Sequence, residues 1–182
     1  MYKTLDLTVH FNNIGIATNE NKQKGMLSLA GSSLPFEAPF KKNEYYCNNI
    51  PFRLKKETEY DNISLQSHKV EINSKSLKAI HFVGNSESGS YFEPVFLMAK
   101  GDIVHKGLIS LTDFLSEVSS FSNLLVYRFQ SVNNRPSHYK GSLWLHSLYL
   151  PNTMEVDILK FEDNPFIHIF AITIEEEPNH AT

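Results

Sequence analysis

The sequence predicts an all-β fold, an antiparallel jelly-roll sandwich of about ten strands. Two observations come from the pattern of residues: apolar and polar residues alternate over most of the chain, and turn-forming residues interrupt that alternation at regular spacing. A third is composition, because 182 residues that are 41% hydrophobic and 12% aromatic suffice for one well-packed core. We therefore expect a single domain over residues 1–175, followed by a frayed tail over residues 176–182.

Strands follow one another along most of the chain. Residues 5–11 alternate strictly, with leucine, valine and phenylalanine separated by polar side chains. The further runs that predict strands are residues 62–72, 77–83, 92–98, 108–111, 124–129, 154–158 and 167–174. Turn signals separate them, at residues 12–15, 48–49, 84–86, 101–102, 133–136 and 151–152. Only residues 112–121 favour a short helix, since Thr112 suits an N-cap and Leu115 and Val118 lie at helical spacing.

Charge and cysteine content narrow the possible functions. The 17 Lys and Arg residues against 20 Asp and Glu leave a net charge of −3, which argues against a nucleic-acid-binding protein. No run approaches the ~20 apolar residues of a membrane span, and Asp6 and His10 interrupt the apolar stretch that a signal peptide needs. We therefore expect a cytoplasmic protein, or a secreted one if the chain is a trimmed part of a longer protein. Cys47 has no second cysteine to pair with and is expected to be structural.

The eight histidines lack the spacing of a metal site. The sequence holds no His-x-His or His-Glu-x-x-His motif and no cysteine pair, so no metal site is predicted and no cofactor is expected. Structural calcium stays open as an alternative, because residues 12–20 are rich in oxygen ligands, although an Asp-x-Asp-x-Asp-Gly loop is absent. His81 and His168 lie within apolar runs, where a buried structural histidine is the favoured interpretation.

No arrangement of residues in the sequence indicates catalysis. A Gly-x-Ser-x-Gly motif is absent, and the acidic residues form no evident pair for glycoside chemistry. We therefore predict no catalytic residue and a chain that binds rather than catalyses. In an enzyme, His81 or His168 beside Asp113 would be the acid/base candidates, because imidazole titrates near neutral pH.

Polar residues stand at the ends of several predicted strands. If residues 62–72 and 77–83 are successive strands of opposite direction, the loops that follow or precede them meet at one end of the sandwich. The candidate ligand-binding residues at that end are Asn12, Asn13, Asp61, Asn62, Asn85, Asp113 and Arg128. Trp144, Tyr127 or Tyr139 would supply an aromatic ring for the apolar face of a sugar. The alternative interpretation is turn formation, since Asn and Asp side chains bond to their own backbone.

Several segments, taken in order, resemble a known bacterial module. The most specific are Phe-Asn-Asn-Ile-Gly-Ile at residues 11–16 and Ile-His-Ile-Phe-Ala-Ile-Thr at residues 167–173. Residues 6–7, 33–38, 50–52, 61–63, 77–84, 112–114 and 127–128 extend the similarity over nearly the whole chain. Together they resemble the galactose-binding-domain-like β-sandwich that is appended to bacterial glycoside hydrolases and related secreted enzymes.

This resemblance implies a non-catalytic module that binds carbohydrate, or another polar small molecule, through polar loops at one end of the sandwich. One alternative is a cytoplasmic accessory protein of a biosynthetic system, which contacts a protein partner or a second copy through an edge strand or through exposed aromatics such as Tyr45 and Tyr46. A second alternative is a small enzyme with a His/Asp pair at the same end. Neither nucleic acid nor membrane is an expected partner.

Overall fold

Twelve β-strands and three short 3₁₀ helices make up residues 1–178, the part of the chain that this computed structural model describes. The strands are β1 (Tyr2–Thr4), β2 (Ile16–Ala17), β3 (Leu34–Pro35), β4 (Tyr45–Cys47), β5 (Ile50–Phe52), β6 (Ile63–Gln66), β7 (Lys69–Ser86), β8 (Tyr91–Ala99), β9 (Asp102–Leu111), β10 (Leu124–Phe129), β11 (Gly141–Phe161) and β12 (Asp163–Glu176). The 3₁₀ helices are Thr8–His10, Lys22–Lys24 and Ala38–Lys41. The predicted all-β sandwich is confirmed.

One antiparallel sheet of eight strands forms the frame, in the order β1-β12-β7-β11-β8-β9, with β6 on β12 and β10 on β11. The long strand β11 pairs with β10 at its start, with β7 along most of its length and with β8 at its end. Register shifts between Tyr149 and Ile158 bend it. The sheet thereby folds over on itself, so that His146 on β11 reaches the carbonyl of Leu108 on β9 at 2.9 Å.

Two apolar clusters lie on opposite faces of the central strands. Phe82 and Trp144 belong to the cluster inside the folded sheet, whereas the neighbours Val83 and Leu143 belong to the second cluster. The second cluster packs under the long segment that carries β2 to β5. Because successive strand residues point to opposite faces, coverage of both faces makes every residue from 79 to 86 buried.

Two segments that the sequence assigns to strands are folded differently. Residues 5–11 alternate in polarity, yet β1 ends at Thr4 and a 3₁₀ helix follows. The carboxylate of Asp6 accepts hydrogen bonds from the Thr8 backbone at 3.0 Å and the Thr8 hydroxyl at 2.6 Å, which turns the chain. The sequence pattern predicts separate strands of opposite direction over residues 62–72 and 77–83; instead β7 runs unbroken through residues 69–86.

One predicted turn and one predicted short helix are also wrong. The turn expected at residues 151–152 lies inside β11, where a register shift absorbs the proline. Residues 112–121 form turns rather than a helix, because the hydroxyl of Thr112 accepts a hydrogen bond from the Ser120 backbone at 3.0 Å and folds the segment back. Within residues 1–178, no helix has the length and apolar character needed to cross a membrane.

The carboxyl-terminal end stays paired further than the sequence predicts. β12 continues to Glu176, whose backbone N–H donates to the Met1 carbonyl at 2.8 Å, and the Glu177 N–H donates to the Ser76 carbonyl at 3.0 Å. Residues 179–182, the rest of the predicted frayed tail, lie outside the described part of the chain. The domain boundary expected at residue 175 therefore falls within a strand.

Candidate functional site

A cavity of about 450 Å³ opens at one end of the sandwich. The walls come from residues 25–31, from β6 together with Asn12 and Asn13, and from residues 165–168 of β12. Glu87, directly after β7, completes the lining, and its backbone N–H donates to the Phe166 carbonyl at 2.9 Å. The cavity thus lies where several polar strand ends meet.

The side-chain amide of Asn12 pairs with the backbone of β6, in the way that a neighbouring strand would. Its side-chain N–H donates to the Ser64 carbonyl at 3.0 Å, and its side-chain carbonyl accepts from the Ser64 N–H at 2.8 Å. Both functions of the amide are therefore used to hold the chain against β6. Asn12 shapes the cavity wall, and its hydrogen-bonding groups are already engaged.

Asn13, Asn62 and His168 form a buried triangle behind the cavity. The Asn13 amide N–H donates to the Asn62 side-chain oxygen at 3.0 Å, and His168 Nδ1 lies 3.1 Å from that oxygen and 3.2 Å from the Asn13 nitrogen. Asn13 and His168 also line the cavity, whereas Asn62 is fully buried. His168 Nε2 has no hydrogen-bond partner among residues 1–178. The atom is itself buried, and the Leu27 backbone lies close enough to the imidazole to oppose the burial-driven fall in the pKa of His168.

Asp61 does not line the cavity; its side chain fixes the backbone at the start of β2. Its two carboxylate oxygens accept from the Gly15 N–H at 2.9 Å and the Ile16 N–H at 3.1 Å. The Lys56 ammonium lies 2.5 Å from the carboxylate, with side-chain exposures of 12% and 2%. Burial raises the pKa of Asp61, and the ammonium of Lys56 opposes that rise. Every oxygen of this side chain is engaged in the fold.

Two further candidates, Asp113 and Arg128, lie beyond the last residue of β7, away from the cavity. The Asp113 carboxylate accepts from the Gly89 N–H at 2.8 Å and the Leu115 N–H at 2.7 Å. Arg128 donates to the carbonyls of Ser116 and Glu117, at 2.8 and 2.7 Å. These two residues therefore stabilise the loop over residues 112–121, and neither lines the cavity.

Asn85 connects the two groups of candidates. In register it is paired with His168 on β12, and its side-chain N–H donates to the Ser142 carbonyl on β11 at 3.1 Å. Its side-chain oxygen is buried and has no hydrogen-bond partner in the described part of the chain. Of the seven predicted candidates, Asn12 and Asn13 line the cavity, and most of the seven hold loops and strands together.

The sequence prediction misses several of the residues that line the cavity and could contact a ligand there. The sequence pattern assigns Glu87 to a hairpin turn, and it gives no indication for Phe166, Met26 or Leu29. A signal for Glu87 is its position just after an apolar strand that ends in polar residues. Trp144 is 2% exposed and belongs to the core, so it is not the sugar-contacting ring.

The other two aromatic candidates are engaged away from the cavity. The Tyr127 hydroxyl donates to Glu37 at 3.2 Å, and Tyr139 packs on the ring of His138 with centroids 4.4 Å apart. Neither lines the cavity, whereas Phe166 does.

The histidines do not form the pair that an acid/base enzyme would need. His81 Nδ1 lies 2.8 Å from the Ser147 hydroxyl, and its Nε2 lies 3.6 Å from a carboxylate oxygen of Glu175. No hydrogen bond joins His81 or His168 to Asp113 in residues 1–178. Over the same residues, no group of three or more His, Cys, Asp or Glu side chains is placed to hold a metal ion.

Acid should destabilise the protein through His168. Burial lowers the pKa of His168 to about 4, whereas an unfolded histidine has a pKa near 6.5. The unfolded state then binds the proton more readily, so stability is full above pH ~6.5 and falls as the pH drops toward ~4, by about 3 kcal/mol for this group. Urea unfolding at pH 7, 5.5 and 4.5 measures the loss.

The matched variant for this test is His168→Gln, which removes the titrating ring and keeps a polar side chain. Its free energy of unfolding should fall less steeply over the same pH interval. Equal slopes for the variant and the parent would show that His168 does not contribute. His81 and His146 also have pKa values lowered by burial, so part of the slope is expected to remain.

Comparison with known proteins finds no family model that matches the sequence, and no significantly similar curated protein. The resemblance to a galactose-binding-domain-like module therefore remains a prediction. Any function proposed for this chain has to rest on the cavity and on the side chains that line it.

Proposed function

We propose that this protein is a non-catalytic binding module that holds a carbohydrate, or a similarly polar small molecule, in the cavity at the end of the sandwich. The observation that carries the proposal is the combination in one cavity of two polar groups, the Glu87 carboxylate and the exposed Gln66 amide, with an apolar rim. Binding sites for small molecules are concave, with a few placed polar groups among apolar ones.

The polar part of the cavity favours hydroxyl-bearing ligands. The carboxylate of Glu87 accepts one hydrogen bond from within residues 1–178, from the Ser88 hydroxyl at 2.9 Å, and so has acceptor capacity left. Gln66 presents an exposed amide at the mouth. Sugar hydroxyls both donate and accept, so they can bond to both groups.

The apolar part of the cavity suits the carbon–hydrogen face of a sugar ring. Phe166 stacks on Tyr91, with ring centroids 5.7 Å apart and planes 18° from parallel, which fixes the orientation of the Phe166 ring. Leu29 and Met26 also line the cavity and are 88% and 56% exposed. Apolar side chains this exposed gain from being covered by a ligand.

Replacement of Leu29 should weaken sugar binding without affecting the fold. Because the side chain is exposed at the cavity rim, Leu29→Ala removes ligand contact but no core contact, and we expect binding about fivefold weaker. A glycan array identifies the sugar, and isothermal titration calorimetry of the full chain then compares the affinities.

The matched control is Val118→Ala, which shortens a side chain that is 78% exposed and lies outside the cavity. Its affinity should equal that of the parent. Failure of every sugar on the array and in calorimetry to bind would overturn the proposed function. Equal weakening by both substitutions would remove the cavity as its location.

A second candidate is a protein-interaction function through β9. This strand is at one edge of the eight-stranded sheet and has no second partner strand within residues 1–178, although the side chains of His146 and Asn123 bond to its carbonyls at Leu108 and Ser110. Ile103 and Leu108 on β9 are 57% and 50% exposed. Exposed edges with apolar side chains favour pairing with another strand, from a partner protein or a second copy.

A charge on β9 distinguishes this candidate from carbohydrate binding. If β9 pairs with a second copy, light scattering should show a dimer that Leu108→Lys converts to a monomer, because lysine on an edge strand opposes pairing. A parent protein that is monomeric at all concentrations and retains no partner in a pull-down from the host would count against β9 as an interface.

A further inference from the structure

We propose that the cavity selects its ligand by charge: it accepts neutral or amine-bearing sugars and excludes sugars that carry a carboxylate, sulfate or phosphate group. This inference rests on the proposed function and specifies the class of ligand that the same cavity takes. It follows from the charges of the described residues that line the cavity, one negative and none positive.

Glu87 is the negative charge. Among residues 1–178, it is the one acidic side chain that lines the cavity, and no lysine or arginine of these residues lines the cavity with it. Within residues 1–178 its carboxylate forms no ion pair, and its hydrogen-bond partner is the neutral hydroxyl of Ser88. A carboxylate with free lone pairs accepts hydrogen bonds from hydroxyl or ammonium groups and repels anions.

Glu87 is also held in place. Its backbone N–H is bonded to β12, and the residue is 5% exposed. A buried charge interacts with a ligand more strongly than a solvated one, because less water screens it. The repulsion of an anion at this wall is therefore not relieved by the side chain swinging into solvent.

His168 does not supply a compensating positive charge. Its imidazole is 3% exposed and its Nδ1 contacts the amides of Asn13 and Asn62, so protonation brings no carboxylate partner. Burial lowers the pKa of this ring to about 4, and it is neutral at physiological pH. An anion in the cavity would therefore meet the Glu87 carboxylate, which repels it, and a His168 imidazole that carries no charge to compensate.

The test compares sugars that share a ring and differ in charge. Calorimetry on the full chain would use galactose, galactosamine and galacturonic acid, and the three matching glucose compounds. In the parent protein, the uronic acid should bind at least about tenfold more weakly than the neutral sugar, and the amino sugar at least as tightly as the neutral one. Glu87→Gln keeps the size of the side chain and should bring the three affinities to within about threefold of one another.

A second variant avoids any cost of changing a buried residue. Gln66 lies at the exposed mouth of the cavity, so Gln66→Lys and Gln66→Glu can change the local charge without disturbing the core. The lysine variant should narrow the difference between neutral and uronic sugars, and the glutamate variant should widen it. Melting temperatures equal to that of the parent confirm that each variant is folded.

The possible failures are distinct. If no sugar in the set or on the glycan array binds, the proposed function falls, and selection by charge falls with it. If neutral sugars bind and galacturonic acid binds as tightly, the function stands and selection by charge is overturned. Discrimination that persists unchanged in Glu87→Gln and in both Gln66 variants would overturn Glu87 as its origin.

Discussion

Asp61→Ala should destabilise the protein by about 3–5 kcal/mol, which for a chain of this length lowers the melting temperature by roughly 10 °C or more. The substitution leaves the largely buried ammonium of Lys56 without its carboxylate. It also leaves the backbone N–H groups of Gly15 and Ile16 without their acceptor. Breaking a buried ion pair by removing one partner costs more than the pair contributes, because the remaining charge stays buried. Thermal melts followed by circular dichroism measure the shift.

Two further variants sharpen this test. Asp61→Asn keeps one acceptor oxygen but not the charge, so its melting temperature should lie between those of the parent and the alanine variant. Asp102→Ala removes an exposed carboxylate at the start of β9 and should change stability by less than about 0.5 kcal/mol. A parent-like melt for Asp61→Ala would contradict the structural role of this carboxylate and would reopen Asp61 as a ligand-binding residue.

Gly84→Ala is expected to lose at least about 3 kcal/mol of stability or to prevent folding. Gly84 lies in β7 between its neighbours β11 and β12, and an added Cβ would come within 2.3 Å of the His168 backbone carbonyl. The side chain of Leu111 approaches the same point at 2.8 Å. Because the nearest obstacle is backbone inside a sheet, a rotamer change cannot relieve the overlap. The midpoint of urea unfolding reports the loss.

Gly31→Asn is the matched control for the glycine substitution. Gly31 has a φ of +71°, which asparagine tolerates, and the nearest atom to an added Cβ is 3.7 Å away. We expect a change of less than about 1 kcal/mol. If Gly84→Ala instead unfolds at the same urea concentration as the parent, then the His168 carbonyl of β12 does not lie as close to Gly84 of β7 as it does in this structure.

The fold class is predictable because period-two patterning is a local property of strands that face a core. The runs at 92–98 and 167–174 lie within β8 and β12, and His81 and His168 are buried in strands as expected. The short strands that the sequence does not indicate are β1 to β5, which are two or three residues long. Strands this short depend on contacts with distant residues rather than on their own pattern.

The errors have a common physical origin, which is competition between side chains and backbone. Asp6 converts an alternating segment into a 3₁₀ turn, and Thr112 folds back a segment with helical spacing. The strand count that places the candidates at one end is also wrong in detail, since β7 is one strand. The structure nevertheless brings some of the candidates together, because Asn13 bridges to Asn62 and Ser86, next to Asn85, bridges to Asp113.

The candidate site is predictable only in part, since a polar residue near a strand end can either bind a ligand or hold the end in place. Asn12, Asp61 and Arg128 do the second, with their polar atoms engaged by neighbouring backbone or side chains. Glu87 and His168 retain unused capacity, and only a structure reveals which atoms are unsatisfied.

The pairing of β1 with the end of β12 determines where a tag or a surface can be attached to the protein. The Met1 ammonium donates to the Glu176 carbonyl at 2.6 Å, so the chain near residue 1 and the chain near residue 176 leave the sandwich side by side. β12 begins at the cavity and rises roughly 3.3 Å per residue, which puts this exit point about 30 Å from Phe166. A tag, a carrier protein or a sensor surface joined there would leave the mouth of the cavity unobstructed.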